Sequence, residues 1–425
     1  MRNARVWRAL LGVEKMVVEG ISDEDDGRVL VARVRPSRGA LHRCGVCQRR
    51  CPGYDAGEGR RRWRSLDAGT VQVFLEADAR RVSCPRHGVV VAHVPWARHG
   101  AGHTLAFDDT VAWLVTQCSK TAVTELMRIA WRTVGAIITR VWADVEALGD
   151  RLDGLTRIGI DEISYKRGHK YLTIVVDHDS GRLLWAAPGR DKATLGKFFD
   201  LLGEQRCAAI THVSADQAEW IADVVTERCG QAVQCADPFH IVKWGTDALD
   251  EVRRQAWNDA RKKTGQSTSN GRGRRDPTGD AKKLKNSRYA LWKNPEDLTD
   301  KQQQKLEWIA KTDPRLHRAY LLKEGLRWVF YVKGYAGKHA LDRWLSWARR
   351  CRIPAFVDLA RRIARVRHRI DAALEHGLSN ALVESMNTKI RLLTRIAFGF
   401  KSPEALIALA MLSLGGYRPA LPGRN

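Results

Sequence analysis

Between residues 155 and 250 the chain switches repeatedly between a hydrophobic period of two and one near 3.6. Ile158-Gly-Ile-Asp-Glu-Ile is a short apolar run that ends in carboxylates, and Tyr171-Leu-Thr-Ile-Val-Val is β-branched and strand-like. Leu183-Leu-Trp-Ala follows a turn at Asp179-Ser-Gly181. Ala193 to Leu202 then shows helical spacing, with Leu195, Phe198, Phe199 and Leu202 on one face. Ile210-Thr-His-Val-Ser reads as the next strand, Ala218 to Cys229 as a helix, and Ala232-Val-Gln-Cys as a last strand. The order β-β-β-α-β-α-β predicts a mixed α/β sheet whose first three strands are joined by hairpins.

The flanks differ. Residues 1 to 100 carry short β-like runs, many Arg and Gly, and four of the nine cysteines. Residues 107 to 118 are helical, with Val111, Leu114 and Val115 on one face; Ala122 to Ile129 and Arg132 to Val145 follow. Two short helices about a tight turn suggest a helix-turn-helix, although the turn lacks Gly and a plain linker bundle is the alternative. Beyond 253 the chain is basic and mostly helical, with a Gly/Arg/Ser-rich break at Gly265 to Gly279 that reads as a solvated loop. The expected class is therefore a multidomain α+β protein. Its parts are a zinc-binding ribbon over 1–100, a helix-turn-helix segment over 101–150, a catalytic core over 151–255, a basic helical insertion over 256–375 and the core's closing helices over 376–425. The strand order of that core matches the ribonuclease H-like type.

Charge narrows the partners. Seventy-two Lys and Arg against 48 Asp and Glu give +24, which favours a polyanion, because each cation that meets a phosphate releases a counterion. A ribosomal or membrane-surface role is the competing explanation of such a charge. No stretch reaches the roughly 20 apolar residues of a membrane span, and Met1 to Gly12 lacks a signal-peptide core, so a cytoplasmic, nucleoid-associated protein is expected. In that compartment the cysteines are thiols or metal ligands rather than disulfides.

Asp161 closes the first predicted strand and Asp216 follows the fourth, so neighbouring strand ends can bring both acids to one point. The third acid should come from a packed helix, and Ser379-Asn-Ala-Leu-Val-Glu384-Ser-Met-Asn387 supplies it, with Ser379 as N-cap. Asn380, Glu384, Asn387 and Arg391 recur at three or four and share a face, while Leu382, Val383 and Met386 can pack on the other side. Phosphodiester chemistry asks for this arrangement: two Mg²⁺ or Mn²⁺ ions activate the attacking oxygen and stabilise the leaving one, and few protein ligands suffice. Acids at strand ends and on helix faces are also common without any role. Glu162, Asp177 and Asp237 compete for the same positions, and Asp237 and His240 are candidates for supporting groups.

Cys44-Gly-Val-Cys47 and Cys84-Pro-Arg-His87 are two pairs of short spacing, the arrangement by which a ribbon grips one structural Zn²⁺. Cys51 and His42 are rivals for the fourth ligand, and Val71-Gln-Val-Phe-Leu is expected to be a ribbon strand. Free thiols on turns are the plainer alternative.

The same residues resemble the insertion-sequence transposases of the ISL-three family. The likeness runs through Ile160-Asp-Glu162, Ser214-Ala-Asp216, Ala236-Asp-Pro-Phe-His-Ile-Val-Lys243 and Ser379-Asn-Ala-Leu-Val-Glu-Ser-Met-Asn387 to Arg395-Ile-Ala-Phe-Gly-Phe400, and Gly168-His-Lys-Tyr171 belongs to it too. The resemblance implies a catalytic Asp-Asp-Glu triad at Asp161, Asp216 and Glu384 and an N-terminal zinc module in which His87 replaces a cysteine. It departs at Gln217-Ala218, where the family often has Met or an aromatic residue.

The 384 − 216 = 168 residues between the last two acids leave room for a helical insertion. Within it Arg253 to Lys293 holds 13 basic against 3 acidic residues. Arg272, Arg274, Arg275, Lys282, Lys283 and Lys285 are expected to track DNA there, Arg391 from the Glu384 helix, and Arg128, Arg132, Thr133 and Arg140 to touch it from the helix-turn-helix. The expected function is binding of the element's terminal inverted repeats, then strand cleavage and transfer into target DNA by an assembly of two or more copies. A nuclease or resolvase on the same core, or a DNA-binding regulator with an inactive core, are the rivals. The regulator predicts loss of an acid, and all three are present.

Overall fold

The computed structural model describes residues 6–7, 10–216, 218–266, 279–400, 402–417 and 419–424. Arg272, Arg274 and Arg275 lie outside the described residues. The chain divides into two compact units, residues 1–149 with 393–425, and residues 150–392.

Among its described residues the first unit has seven strands: β1 (Met16–Glu24), β2 (Val29–Pro36), β3 (Gly53–Asp55), β4 (Arg60–Arg64), β5 (Gln72–Asp78), β6 (Arg81–Cys84) and β7 (Gly88–Val91). Four of them form a sheet of order β1-β2-β5-β4 and three form a separate sheet, β3-β6-β7. Strand β5 alternates strictly, with Val73, Leu75 and Ala77 inward against Ala32, Val34, Trp63 and Trp96. The run at Val71 to Leu75, expected in the zinc ribbon, therefore belongs to the other sheet. Its inward side chains complete an apolar core that the small ribbon cannot offer.

Three helices follow: α1 (Leu105–Gln117), α2 (Lys120–Met127) and α3 (Trp131–Leu148). Thr104 and Ser119 cap the first two by accepting from Phe107 N and Ala122 N. The turn between α2 and α3 has no glycine because Arg128 itself takes the left-handed conformation, φ 53°.

The second unit carries β8 (Arg157–Lys166), β9 (Lys170–Asp177), β10 (Leu183–Pro188), α4 (Lys192–Leu202), α5 (Glu204–Ala209), β11 (His212–Ala215), α6 (Glu219–Arg228) and β12 (Val233–Ala236). The sheet order is β10-β9-β8-β11-β12, antiparallel among β8, β9 and β10 and parallel from β8 through β11 to β12. Leu195, Phe198, Phe199 and Leu202 of α4 are buried on it, as their spacing predicts.

A long helix, α7 (Pro238–Gln266), leaves β12. It opens a helical region of α8 (Asp280–Lys285), α9 (Arg288–Trp292), α10 (Asp300–Thr312), α11 (Pro314–Val332), α12 (Gly334–Arg350), α13 (Pro354–Arg365) and α14 (Arg367–His376). Its core includes Ile241, Leu249, Leu316, Leu326, Trp344 and Phe356, all buried, with the Trp344 indole donating to Leu322 O at 2.7 Å. Most tryptophans here serve packing, but Trp328 stays 57% exposed.

Helix α15 (Ala381–Ile396) follows. The last helix, α16 (Pro403–Leu414), buries Leu406, Leu409, Met411 and Leu412 and packs on α3 and α1. It clusters with the first unit, whereas 376–425 was expected to close the core. An apolar helix buried nearly all round needs apolar partners on more than one side. Among the described residues no helix is long and apolar enough to cross a membrane.

Candidate functional site

The register of the parallel strands creates the site. Ile160 of β8 is paired with Ala215 of β11, and Ala215 with Ala236 of β12. The next residue in each chain is an aspartate: Asp161, Asp216 and Asp237. Three acids thus lie one step beyond a single row of the sheet. Asp161 does not end its strand, as the sequence suggested. β8 runs on to Lys166 because it keeps pairing with β9 as a hairpin, and only its pairing with β11 stops at Ile160.

Helix α15 delivers the fourth acid, Glu384. Ser379 is not its cap. Asn380 takes that place, its carbonyl accepting from Glu384 N at 2.7 Å, while Ser379 Oγ accepts only from Ala381 N. The fully buried Asn380 side chain binds instead to the sheet: Oδ1 accepts from Ser214 Oγ, Nδ2 donates to Ile160 O at 3.4 Å, and the backbone N–H donates to Asp237 Oδ1 at 3.3 Å. One residue therefore ties mid-β8, β11 and the residue after β12 to the Glu384 helix. His178 Nε2 extends this chain to Ser214 Oγ at 2.7 Å, a link with no signal in the sequence. One turn on, Asn387 Nδ2 donates to Asp161 Oδ2 at 2.8 Å, and Val383 packs against Gly159, where a Cβ would lie 2.6 Å from its methyl. Arg391 is exposed on the same helix.

Asn380→Ala would take the Asn380 amide from the Ile160 carbonyl and leave the buried Ser214 hydroxyl with His178 alone. A buried polar group that loses its partner costs about 1–3 kcal/mol. The variant is expected to melt several degrees below wild type and to lose cleavage with it, whereas an unchanged melting curve would remove Asn380 from this role.

The rival acids are committed elsewhere. Glu162 points to the opposite face from Asp161 and pairs with Arg190. Asp177 accepts from the N–H groups of Asp179 and Ser180 and shapes the β9–β10 turn. Asp237 is buried, with Oδ1 accepting from Phe239 N and Asn380 N and Oδ2 bonded to His240 Nδ1 at 2.7 Å. His240 Nδ1 also lies 3.5 Å from Asp216.

Burial, with Asp216 and Asp237 close by, pushes the Asp161 carboxyl up to about 6 against the pull of the Glu162 N–H and His240. Burial and Asp237 likewise raise Glu384, eased by His240 and Arg391. The hydrogen bond to Asp237 raises the His240 imidazole despite its burial. Crowded carboxyls held above their usual range are short of positive charge, and hard divalent cations supply it. The oxygens of Asp161, Asp216 and Glu384 do not converge as tightly as the donors of the cysteine group, which among the described residues alone bring their atoms within 4.8 Å of one another.

That group is Cys44, Cys47, Cys84 and His87. His87 Nδ1 lies 3.6 Å from both Cys44 Sγ and Cys84 Sγ, and Cys47 Sγ lies 3.8 Å from Cys84 Sγ. A tetrahedral ion with bonds of about 2.3 Å to sulfur and about 2.0 Å to nitrogen needs edges of about 3.8 and 3.5 Å. The donor set fits zinc. Burial opposes it, yet the N–H groups of Arg86 and His87 and the His87 ring bring the Cys84 thiol down to about 6, toward the thiolate a metal requires. Cys51 stands beside this group with its thiol donating to Arg49 O at 3.4 Å, and neither it nor His42 is in the cluster.

Of the expected DNA contacts, Arg132 is exposed and Thr133 half-buried in the first turn of α3. Arg128 is paired with Asp67. Arg140 turns inward: its guanidinium bonds both oxygens of the fully buried Asp108, at 3.0 and 3.2 Å. A buried carboxylate needs such a partner, and this one takes Arg140 away from solvent. In the second unit Lys282, Lys283 and Lys285 are exposed on α8.

A family profile described as a transposase matches residues 158–410, from β8 to α16. The chain belongs to the ISL3 transposase family. A profile for the helix-turn-helix domain of transposase family ISL3 matches residues 92–142, covering α1, α2 and most of α3. One for the zinc-finger of transposase IS204/IS1001/IS1096/IS1165 matches 40–87 and contains all four clustered ligands. Over 437 aligned residues, all of this chain and 98% of the relative, it is 68% identical to the transposase for insertion sequence element IS1557 of Mycobacterium tuberculosis strains CDC 1551 / Oshkosh and ATCC 25618 / H37Rv. It is 26% identical over 410 residues to the transposase for insertion sequence element IS1001 of Bordetella parapertussis, covering 95% of this chain and 96% of that one. The ISL3 chain is thus a mixed α/β protein with a zinc ribbon, a helix-turn-helix and a transposase core, and its family marks it as a DNA-acting enzyme.

Proposed function

We propose that this ISL3 transposase binds the ends of its insertion sequence and cuts and joins DNA strands at Asp161, Asp216 and Glu384, on a ribonuclease H-like core interrupted by a helical insertion between β12 and α15. The observation that carries the reading is the aligned row of Ile160, Ala215 and Ala236, each followed by an aspartate, with Glu384 close enough to Asp237 to feel its charge. Asp161, Asp216 and Glu384 would hold a pair of Mg²⁺ or Mn²⁺ ions, which when bound activate the attacking oxygen and stabilise the leaving oxygen of an in-line displacement. Asn387 orients the Asp161 carboxylate, and Asp237 holds His240 beside Asp216. Asn380 keeps β8, β11 and β12 in step with the Glu384 helix.

The zinc ribbon and helix-turn-helix read the inverted repeats, through Arg132, Thr133 and, once released from Asp67, Arg128. Arg140 has no part in this reading. Lys282, Lys283, Lys285 and Arg391 add contacts to phosphates, and two or more copies assemble on DNA.

A supercoiled plasmid bearing the inverted repeats that bracket the gene tests the reading. With Mg²⁺, wild type is expected to cut at the repeats and join the ends to a second DNA, and EDTA to stop both. Cutting without joining would favour a nuclease or resolvase; no cutting would refute the reading.

A further inference from the structure

We propose that the β8–β9 hairpin is a finger that grips the phosphate backbone of duplex DNA about four to five base pairs from the bond being cut. The proposal rests on the reading above that cleavage occurs at the carboxylates.

The pairing of β8 with β11 stops at Ile160, and that of β9 with β10 at Leu172. Beyond those points the ladder continues only between the two strands, with Gly189 N donating to Tyr171 O at 3.0 Å at its base, and residues 164–170 project from the sheet as a two-stranded ribbon. Its tip is tightly built. Gly168 and His169 take φ values of 82° and 57°. The Lys166–Lys170 pair leaves a three-residue loop whose last two residues take positive φ, and His tolerates that conformation better than most side chains. At its base Arg190 stacks over Tyr171 at 5.1 Å while pairing with Glu162.

Lys166, Arg167, His169 and Lys170 are all exposed on this tip. Among the described residues none of the four is in an ion pair, although many arginines of the molecule are. The register sets Lys166 directly opposite Lys170. Like charges facing each other across a ladder destabilise it, and nothing within the described chain offsets that cost. A polyanion would. A second copy of this chain, at +24, is a poor source of negative charge, whereas a DNA backbone is dense in it. From Asp161 to Lys166 the hairpin advances five residues along β8 but four along β9, because a bulge lies between Ser164 and Lys166, which makes about 14–17 Å at about 3.4 Å each. Duplex DNA climbs about 3.4 Å per base pair, which places the grip about four to five base pairs from the cut.

The test compares wild type with K166Q/R167Q/H169Q/K170Q and with the charge-keeping K166R/R167K/K170R. Affinity for a random-sequence duplex is measured over a salt series. The slope of log K against log salt is expected to fall by about 2 to 3 in the Gln variant, at about 0.9 per lost phosphate contact, and to hold in the charge-keeping one. Phosphate ethylation interference on a duplex carrying the inverted repeat should lose its signal about four to five base pairs from the cut in the Gln variant alone. Relief of the Lys166–Lys170 repulsion should leave that variant melting at or above wild type, which separates lost contact from lost fold. An unchanged slope with unchanged interference overturns the finger. Cleavage surviving in D161N would instead overturn the catalytic reading and the base-pair register, while the slope would still decide whether the hairpin touches DNA.

Discussion

Asp161→Asn, Asp216→Asn and Glu384→Gln are each expected to lower strand cleavage by about three decades or more, because metal-assisted stabilisation is worth several kcal/mol and each 1.36 kcal/mol is about tenfold. Binding to the element's ends should be nearly intact, since the ribbon and the helix-turn-helix carry no catalytic acid. Asp161 gives this prediction a second readout. Its carboxyl is held up near 6 in the folded chain against an ordinary 3.8, so folding disfavours its ionised form. The stability that follows is fully present below pH about 4 and is lost as the pH rises through about 6.

Asp161→Asn removes that loss. The new amide can accept from Glu162 N as the carboxylate does, and a flip of Asn387, whose buried Oδ1 has no partner, would accept its N–H. Without metal the variant should therefore melt above wild type at pH 7, the gap closing toward pH 4. Adding Mg²⁺ should raise the melting point of wild type, by linkage, and leave the variant unmoved. Near wild-type cleavage in any one variant would take that residue out of the site. Equal melting of wild type and Asp161→Asn at pH 7 would show that the crowding of acids has no energetic weight.

Much of this site could be read in advance because it is written in local patterns. The period-two runs fix β8 to β12, and the step of three and four along 380–391 sets Asn380, Glu384 and Asn387 on one helix face. What escaped was set by partners distant in sequence. Asp161 looked like a strand end because the apolar run stops there, but a hairpin ladder extends a strand through polar residues just as well. Ser379 and Asn380 are both good caps by type, and only Ser214 and Ile160, more than 160 residues away, decide between them. Arg140 reads as a DNA contact because an arginine on a helix gives no sign of an inward carboxylate such as Asp108. Helix α16 followed the Glu384 helix closely enough to be placed with it, while its apolar surface belongs on α1 and α3. The Lys166–Lys170 pairing emerges only once the register is known.

Removal of zinc is the other change expected to have a large effect. The ribbon's interior consists of Cys44, Cys51, Val82 and Cys84, with Cys47, Val90 and Ala92 partly covered, and all of β3 is exposed. A sheet with one fully buried aliphatic side chain cannot hold itself together by burial, which contributes only about 1.5–3 kcal/mol per such residue. A structural zinc site contributes about 10–16 kcal/mol of apparent binding energy and so is the core of such a module. Metal analysis should find one zinc per chain in wild type and none in Cys44→Ser/Cys47→Ser. That double variant should lose its preference for the element's ends over random DNA while keeping weak, salt-sensitive binding through the second unit. His87→Ala should lose the metal or hold it loosely, and Cys51→Ser should keep it, since the Cys51 thiol is turned to Arg49 O. Zinc retained by His87→Ala but lost from Cys51→Ser would exchange the fourth ligand, and an intact end preference in the zinc-free chain would move recognition out of the ribbon altogether.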